Sequence, residues 1–177
     1  MKSILLLLIV TINICSCKED DPESPLKGCC GNDAIEESIG NGHIYVPNIF
    51  TPNDDGINDG LFISSDSIEL IEKVEIRDRN GNLVFESYEP TINDDEDNWD
   101  GQINGIVVEG LYTITLTVIA EDGTNRTLEG KVCNFPCNGD HEVTERIPGE
   151  NCQFPAQADD GYYCPICPSG EPNDCFE

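Results

Sequence analysis

Positive charge is scarce in this chain. Nine Lys and Arg stand against 35 Asp and Glu in 177 residues, a net charge of −26. Such a surface repels a polyphosphate, which excludes nucleic acid as a partner. Histidine is nearly absent, and His43 and His141 are isolated from each other. Neither a Gly-x-Ser-x-Gly elbow nor a His-Glu-x-x-His pair occurs, so two common hydrolytic layouts are missing. Carboxylate pairs abound, yet on so acidic a surface they carry no specificity for glycoside chemistry. No residue is therefore assigned a catalytic role, and a small secreted carboxylate-based hydrolase stands only as the alternative to a non-enzymatic protein. Aromatic residues make up 7% and hydrophobic residues 38% of the chain, enough for one modest core and not for two large ones. Long apolar runs are missing too. The run Ile4 to Ile14 is interrupted by Thr11 and Asn13 and falls short of the roughly 20 residues a membrane-crossing helix needs.

That run follows Met1 and Lys2 and fits the apolar segment of a signal peptide. It ends in Ile14-Cys15-Ser16-Cys17, which resembles the cleavage box of bacterial lipoproteins: a branched apolar residue, a small residue, then Cys. The resemblance implies cleavage before Cys17, a diacylglycerol on its thiol and an acyl chain on the new amine. Two or more chains hold a protein stably at a membrane, where one holds it only marginally. The following Lys18-Glu19-Asp20-Asp21 is similar to the acidic patch that marks surface-directed lipoproteins of gliding bacteria. The expected location is the outer membrane, on the cell surface. Cleavage removes Lys2 and Cys15, so eight basic residues face 35 acids and the charge becomes −27.

Cysteine is abundant instead. Ten in so short a chain point to an oxidising compartment and disulfides. With Cys15 lost and Cys17 lipidated, Cys29, Cys30, Cys133, Cys137, Cys152, Cys164, Cys167 and Cys175 remain, an even number that suits full pairing. Cys29 and Cys30 are adjacent and would be strained if bonded to each other, so each is expected to pair elsewhere. Cys164-Pro165-Ile166-Cys167 also has the spacing of a zinc knuckle, with Cys133 and Cys137 as a partial mate. A second CxxC is missing, and the oxidising location favours disulfides over a metal. Pro165 within the CxxC suits a redox role, which is the weaker reading because no thioredoxin-like βαβ pattern accompanies it.

The chain divides into a signal peptide over residues 1–16, an acidic tether over 17–42, a β region over 43–135 and a cysteine-rich tail over 136–177. The tether is polar and ends in Gly40-Asn41-Gly42, with Ile35 and Ile39 framing one candidate helical turn. In the β region the clearest strand is Leu111 to Ala120, where Tyr112, Ile114, Leu116, Val118 and Ala120 share a face and threonines fill the other. Asp122-Gly123 turns it back into a strand carrying Leu128 and Val132. A second hairpin is centred on Asn80-Gly81, with arms Lys73 to Arg79 and Leu83 to Tyr88. Further strands are expected at Ile44 to Phe50, Leu61 to Ser64 and Ile103 to Val108. The fold class is therefore all-β: an immunoglobulin-like β-sandwich of about seven strands with a disulfide-rich, irregular C-terminal tail. The tail has too few large aliphatics for a core of its own and needs staples.

Four motifs in order carry a second resemblance: Val46-Pro-Asn-Ile-Phe-Thr-Pro-Asn-Asp-Asp-Gly-Ile-Asn-Asp59, Asn80-Gly-Asn-Leu-Val-Phe-Glu-Ser87, Trp99-Asp100-Gly101 and Glu109-Gly-Leu-Tyr-Thr113. Together they resemble the gliding-motility-associated C-terminal domain, the type B sorting domain of type IX secretion. Asp54 stands where that family has Gly, and Arg79-Asn80-Gly81 lacks its usual aromatic. The family domain normally ends its chain, whereas 42 residues follow Phe135 here. The resemblance implies components of the gliding or type IX secretion apparatus as partners. With the lipid anchor it implies a membrane-anchored surface lipoprotein whose sandwich is an adhesion or interaction module, or a retained sorting module.

Within the first motif, Asn53, Asp55, Ile57 and Asp59 alternate around Gly56. Oxygen ligands at every second position around a Gly turn suit Ca²⁺, with Ile57 offering its carbonyl. The terminal acids of an EF-type loop are missing, so Asp100 or an acid from Asp94 to Asp97 would have to complete the site. Asn, Asp and Gly are equally good turn formers, and both readings stand. Glu89 to Asp100 holds six acids and no base, the composition of a solvated loop or a weak divalent-cation patch. Trp99 is expected in the core, anchoring that loop, ahead of a sugar-stacking role.

Overall fold

Alternating burial along one long strand organises the molecule. The computed structural model describes residues 25–29, 31–95, 97–137, 152–159 and 161–171. The signal segment, the lipidation candidate Cys17 and residues Cys30, His141 and Cys175 lie outside the described residues. In chain order the strands are β1 (Ile35–Ile39), β2 (Gly42–Val46), β3 (Ile49–Phe50), β4 (Ser64–Asp66), β5 (Ile68–Arg77), β6 (Leu83–Tyr88), β7 (Gln102–Ile103), β8 (Ile106–Val107), β9 (Gly110–Ala120), β10 (Asn125–Asn134), β11 (Ala158–Asp159) and β12 (Tyr162–Tyr163). A five-stranded sheet has the order β3-β10-β9-β5-β6, and a three-stranded sheet the order β1-β2-β4. β7 with β8 and β11 with β12 form two small hairpins. The expected all-β sandwich is the architecture found.

β9 buries Tyr112, Ile114, Leu116, Val118 and Ala120 on one face. Ile71, Val74 and Ile76 of β5 and Leu128 and Val132 of β10 extend that face, and Ile35, Ile39, Ile44 and Val46 of the smaller sheet close over it. Each fully buried Ile, Leu or Val contributes about 1.5–3 kcal/mol. The layers meet closely where β1 crosses β10. A Cβ on Gly130 would stand 2.7 Å from Ile35 Cγ1, so any side chain there would push the sheets apart. The Asn80-Gly81 and Asp122-Gly123 hairpins form as expected, each Gly having φ above +80°.

Several boundaries differ from expectation, each for a local reason. Ile35–Ile39 is a strand and not a helical turn, because residues four apart share a face in either conformation. It pairs antiparallel with β2, Ile35 opposite Val46. Within the segment expected as tether, residues 35–39 and 42 thus lie in the smaller sheet, and Leu26 and Cys29 are buried. Ile44 to Phe50 splits at Pro47, which lacks a ladder donor. β2 stays in the small sheet, while β3 crosses to the large one and lies parallel to β10. Leu61 makes only an isolated bridge to Trp99, and the strand proper begins at Ser64. Ile103 to Val108 folds back on itself because Asn104 and Gly105 both take positive φ, the signature of a two-residue hairpin.

A second cluster joins Leu26, Cys29, Ile49, Cys133, Phe135 and Phe154. It ties the segment before β1 and the segment around residue 154 to the β3–β10 edge. Cys29 is disulfide-bonded to Cys133 across a separation of 104 residues, and Cys164 to Cys167. Cys137 and Cys152 are each in a disulfide of their own as well. Closing a loop of about 100 residues removes much denatured-state entropy, and loss of such a bond costs about 2–5 kcal/mol. The Cys29→Ala/Cys133→Ala variant is therefore expected to melt roughly 5–15 °C below the parent, measured by circular dichroism; an unchanged melting temperature would contradict this role.

Candidate functional site

The four sequence motifs converge on one indole. Trp99 packs edge-on against Tyr112, centroids 4.8 Å apart. Phe50 lies 5.4 Å and Phe85 6.5 Å away, both tilted. Each motif contributes one ring, and offset or edge-on packing suits aromatic quadrupoles. Trp99 is 2% exposed and its Nε1–H donates to Gln102 O, so it is a core residue with no face for a sugar. Tyr112 donates to Val108 O at 2.7 Å, and burial pushes its phenol up to about 12. Asn134 donates to Gly101 O and Val108 O. A Cβ on Gly101 would sit 2.5 Å from Asn134 Nδ2, and Gly101 has φ +77°, so the third motif residue of Trp99-Asp100-Gly101 must be Gly.

The first motif forms a loop after β3 that is held by its own carboxylates. Asp59 Oδ1 accepts from the amides of Asn53 (3.0 Å) and Asp54 (2.8 Å), and its Oδ2 accepts from Gly56 N–H (2.7 Å). Asp55 accepts from Ile57 N–H, and Asn53 and Asp55 exchange two further bonds. Asp100, the outside ligand considered for Ca²⁺, accepts from Gln102 N–H. Among the described residues no group of three or more His, Cys, Asp or Glu converges to hold a metal ion. Asn53, Asp55 and Asp59 act here as turn formers, each bonded within the loop. In the acidic stretch, Asp97 accepts from Thr91 and Asn93 exchanges two hydrogen bonds with the backbone of Ser65.

What the loop does hold is the tail. Glu171, 8% exposed, accepts from Thr51 Oγ1 at 2.7 Å and from Asn58 Nδ2 at 2.9 Å, both through Oε2. Asn58 also donates to Ser169 O and accepts from Ala156 N–H. Asn48, at the start of the same motif, bonds Asn32 O on one side and Gln153 N–H on the other. Residues 152–171 thus lie as a strap along the loop, and between them opens a cleft of about 600 Å³ lined by Ile57, Phe62, Asp95, Asn98, Pro155 and Gly170 among others. Further along, Gly161 N–H donates to Ser64 Oγ. Tyr162 stacks flat on His43 at 4.0 Å, and Glu36 accepts from Tyr163 N–H. Ser38 Oγ lies 3.1 Å from His43 Nδ1, and Glu36 lies 3.7 Å from Nε2. Sequence reading missed this hydroxyl–imidazole–carboxylate line, whose histidine and carboxylate seat the strap.

Residues 44–132, half of the chain, match the CHU_C type IX secretion signal domain. The chain belongs to that family. It therefore carries a type IX sorting module, which engages the secretion machinery and marks a secreted or envelope-associated protein. The CHU_C signal domain is not a catalytic family. No curated protein matches the chain. In the signal domain, Asn48, Thr51 and Asn58 are motif positions whose side chains bond flanking segments. Their polarity in a short, proline-containing run reads as turn chemistry, and nothing in the sequence around Glu171 marks it as their partner.

Burial raises the Glu171 carboxyl above its ordinary value, the charges of Asp55 and Asp59 add to the rise, and the Asn58 and Thr51 bonds oppose it. The folded protein then binds this proton more tightly than the unfolded chain. Its stabilisation is full below the ordinary Glu value of 4.5 and fades as pH rises through the folded value. Glu171→Gln keeps an oxygen for both donors and does not ionise. Relative to the parent it is expected to gain melting temperature between pH 4.5 and pH 8; a difference that does not change with pH would remove the titration. Asp59→Ala strands three loop amides and should cost about 1–3 kcal/mol. Millimolar Ca²⁺ is expected to leave the melting of both proteins unchanged, and a Ca²⁺-dependent rise in the parent alone would restore the metal reading.

Proposed function

We propose that this chain is an envelope-anchored lipoprotein in which the type IX sorting module is retained as an interaction domain after export. The clasp between the family loop and the strap carries the reading. Thr51 and Asn58 share the buried Glu171, so the loop is built into a larger folded unit. The Cys29–Cys133 bond does the same at the other end. A module meant only for export needs neither attachment. On this reading the chain has a signal over residues 1–16, a tether over 17–24, one β body from residue 25 and a strap that belongs to it. Eight steps from Cys17 to Pro25 reach at most about 29 Å, which would keep the sandwich within roughly its own diameter of the lipid. The acidic surface suits a partner of opposite charge, among components of the secretion or gliding apparatus or on an external surface.

Cys17→Ala tests the anchor. The parent should partition with the outer membrane and carry acyl chains on Cys17 by mass spectrometry, while the variant is expected in the soluble fraction. Equal partitioning of the two proteins, or an unmodified Cys17, would remove the lipoprotein. Deleting residues 138–177 in the anchored protein separates retention from sorting. Export that proceeds unchanged with loss of partner capture supports an interaction domain, and loss of export alone supports a signal and nothing more.

A further inference from the structure

We propose that Cys164 and Cys167 form a thiol–disulfide exchange site that takes an external dithiol as its substrate. Two bonds of opposite character are on view. Cys29 and Cys133 are buried, separated by 104 residues, and sit inside an apolar cluster. A reductant reaches them only when the body opens, and their cleavage is coupled to unfolding. Cys164 and Cys167 are three residues apart in the strap and only half-buried, with Pro165 and Ile166 exposed between them. So short a ring constrains the unfolded chain little, so its cleavage costs the fold far less. Exposure and a CxxC spacing are the features of exchangeable disulfides.

The surroundings supply docking and reversibility. Ile166 is 92% exposed, an apolar knob at the crown of the ring. It fits a protein dithiol whose thiols lie in an apolar surface. Gln157 grips both ends of the ring: its carbonyl accepts from Cys164 N–H at 2.7 Å, and its Nε2–H donates to Cys167 O at 3.2 Å. With the backbone held this way, two freed thiols stay within reach of each other and can close again by exchange with an external disulfide, which is reduced to two thiols.

The reaction is balanced by the dithiol alone. Its thiolate attacks one sulfur of the pair, forming a mixed disulfide, and the other cysteine leaves as a thiolate that takes up a proton. The second thiol of the reductant then attacks the mixed disulfide. Two electrons and two protons pass to Cys164 and Cys167, and the reductant departs as a disulfide. Nothing in this step requires the lipid anchor.

The oxidised full-length protein, exposed to graded dithiothreitol or to a thioredoxin-type protein dithiol and trapped by alkylation, decides the matter by peptide mass spectrometry. Cys164 and Cys167 should be labelled together, roughly tenfold or more faster than Cys29 and Cys133, and should re-form their bond when glutathione disulfide replaces the reductant, its two sulfurs leaving as two molecules of reduced glutathione. Ile166→Asp should slow the protein dithiol severalfold and leave dithiothreitol unaffected. Simultaneous opening of the Cys29–Cys133 and Cys164–Cys167 bonds would overturn the exchange site. Equal rates for parent and Ile166→Asp with the protein dithiol would overturn the docking role of Ile166.

Discussion

The fold depends on how one indole is enclosed. Trp99 is the single tryptophan of the chain and lies on no long strand. It is fixed by rings delivered from β3, β6 and β9. Rigid planar side chains fill volume with little entropy loss, and a buried aromatic is the largest apolar contribution a small core can receive. With only 7% aromatic residues in the chain, four rings gathered at one point are a large share of what the core can draw on. The loop from β6 to β7 holds no long strand, and the Trp99 bridge to Leu61 is what draws it onto the sandwich. Gly101 and Asn134 then lock the turn that follows, since the amide of Asn134 occupies the space where any other residue at 101 would place its Cβ.

Around this apolar centre the family motif is closed by polar contacts. Asn48, Thr51 and Asn58 are buried or partly buried in a loop with few backbone partners of its own. Such groups are costly unless hydrogen-bonded, and here the partners come from segments outside the matched residues 44–132. The strap and the segment before β1 therefore complete the module chemically. The strongly acidic composition shapes the same contact. Glu171 is buried beside Asp55 and Asp59, and burial together with the neighbouring charges pushes its proton affinity up.

Period 2 made the long strands legible. β6 is found with its expected bounds, and β9 and β10 lie where alternating residues and a Gly turn indicate. Short elements were less readable, because two-residue strands carry no period. β7 and β8 are recognisable only from the Asn104-Gly105 turn between them. The strand at Ile35 could not be told from a helical turn by spacing alone. The convergence of the four motifs was legible as a family pattern, but its physical cause, a shared Trp99 contact, needs coordinates. Glu171 was not legible at all, since a lone acid in an acidic tail differs in no way from its solvated neighbours until its burial is seen.

The parallel pairing of β3 with β10 has a consequence in time. Residues 49 and 50 find their partners at 133 and 134, so an early segment waits for a late one. Pairings this distant in sequence pay a loop-closure cost before they return any contact energy, and they slow folding. The edge of the large sheet cannot close until the chain through Asn134 is present. A chain still emerging from synthesis, or threading through a membrane pore from its N-terminus, has not yet assembled the surface its family motif builds. Topology alone would delay recognition of the folded module until translocation is nearly complete.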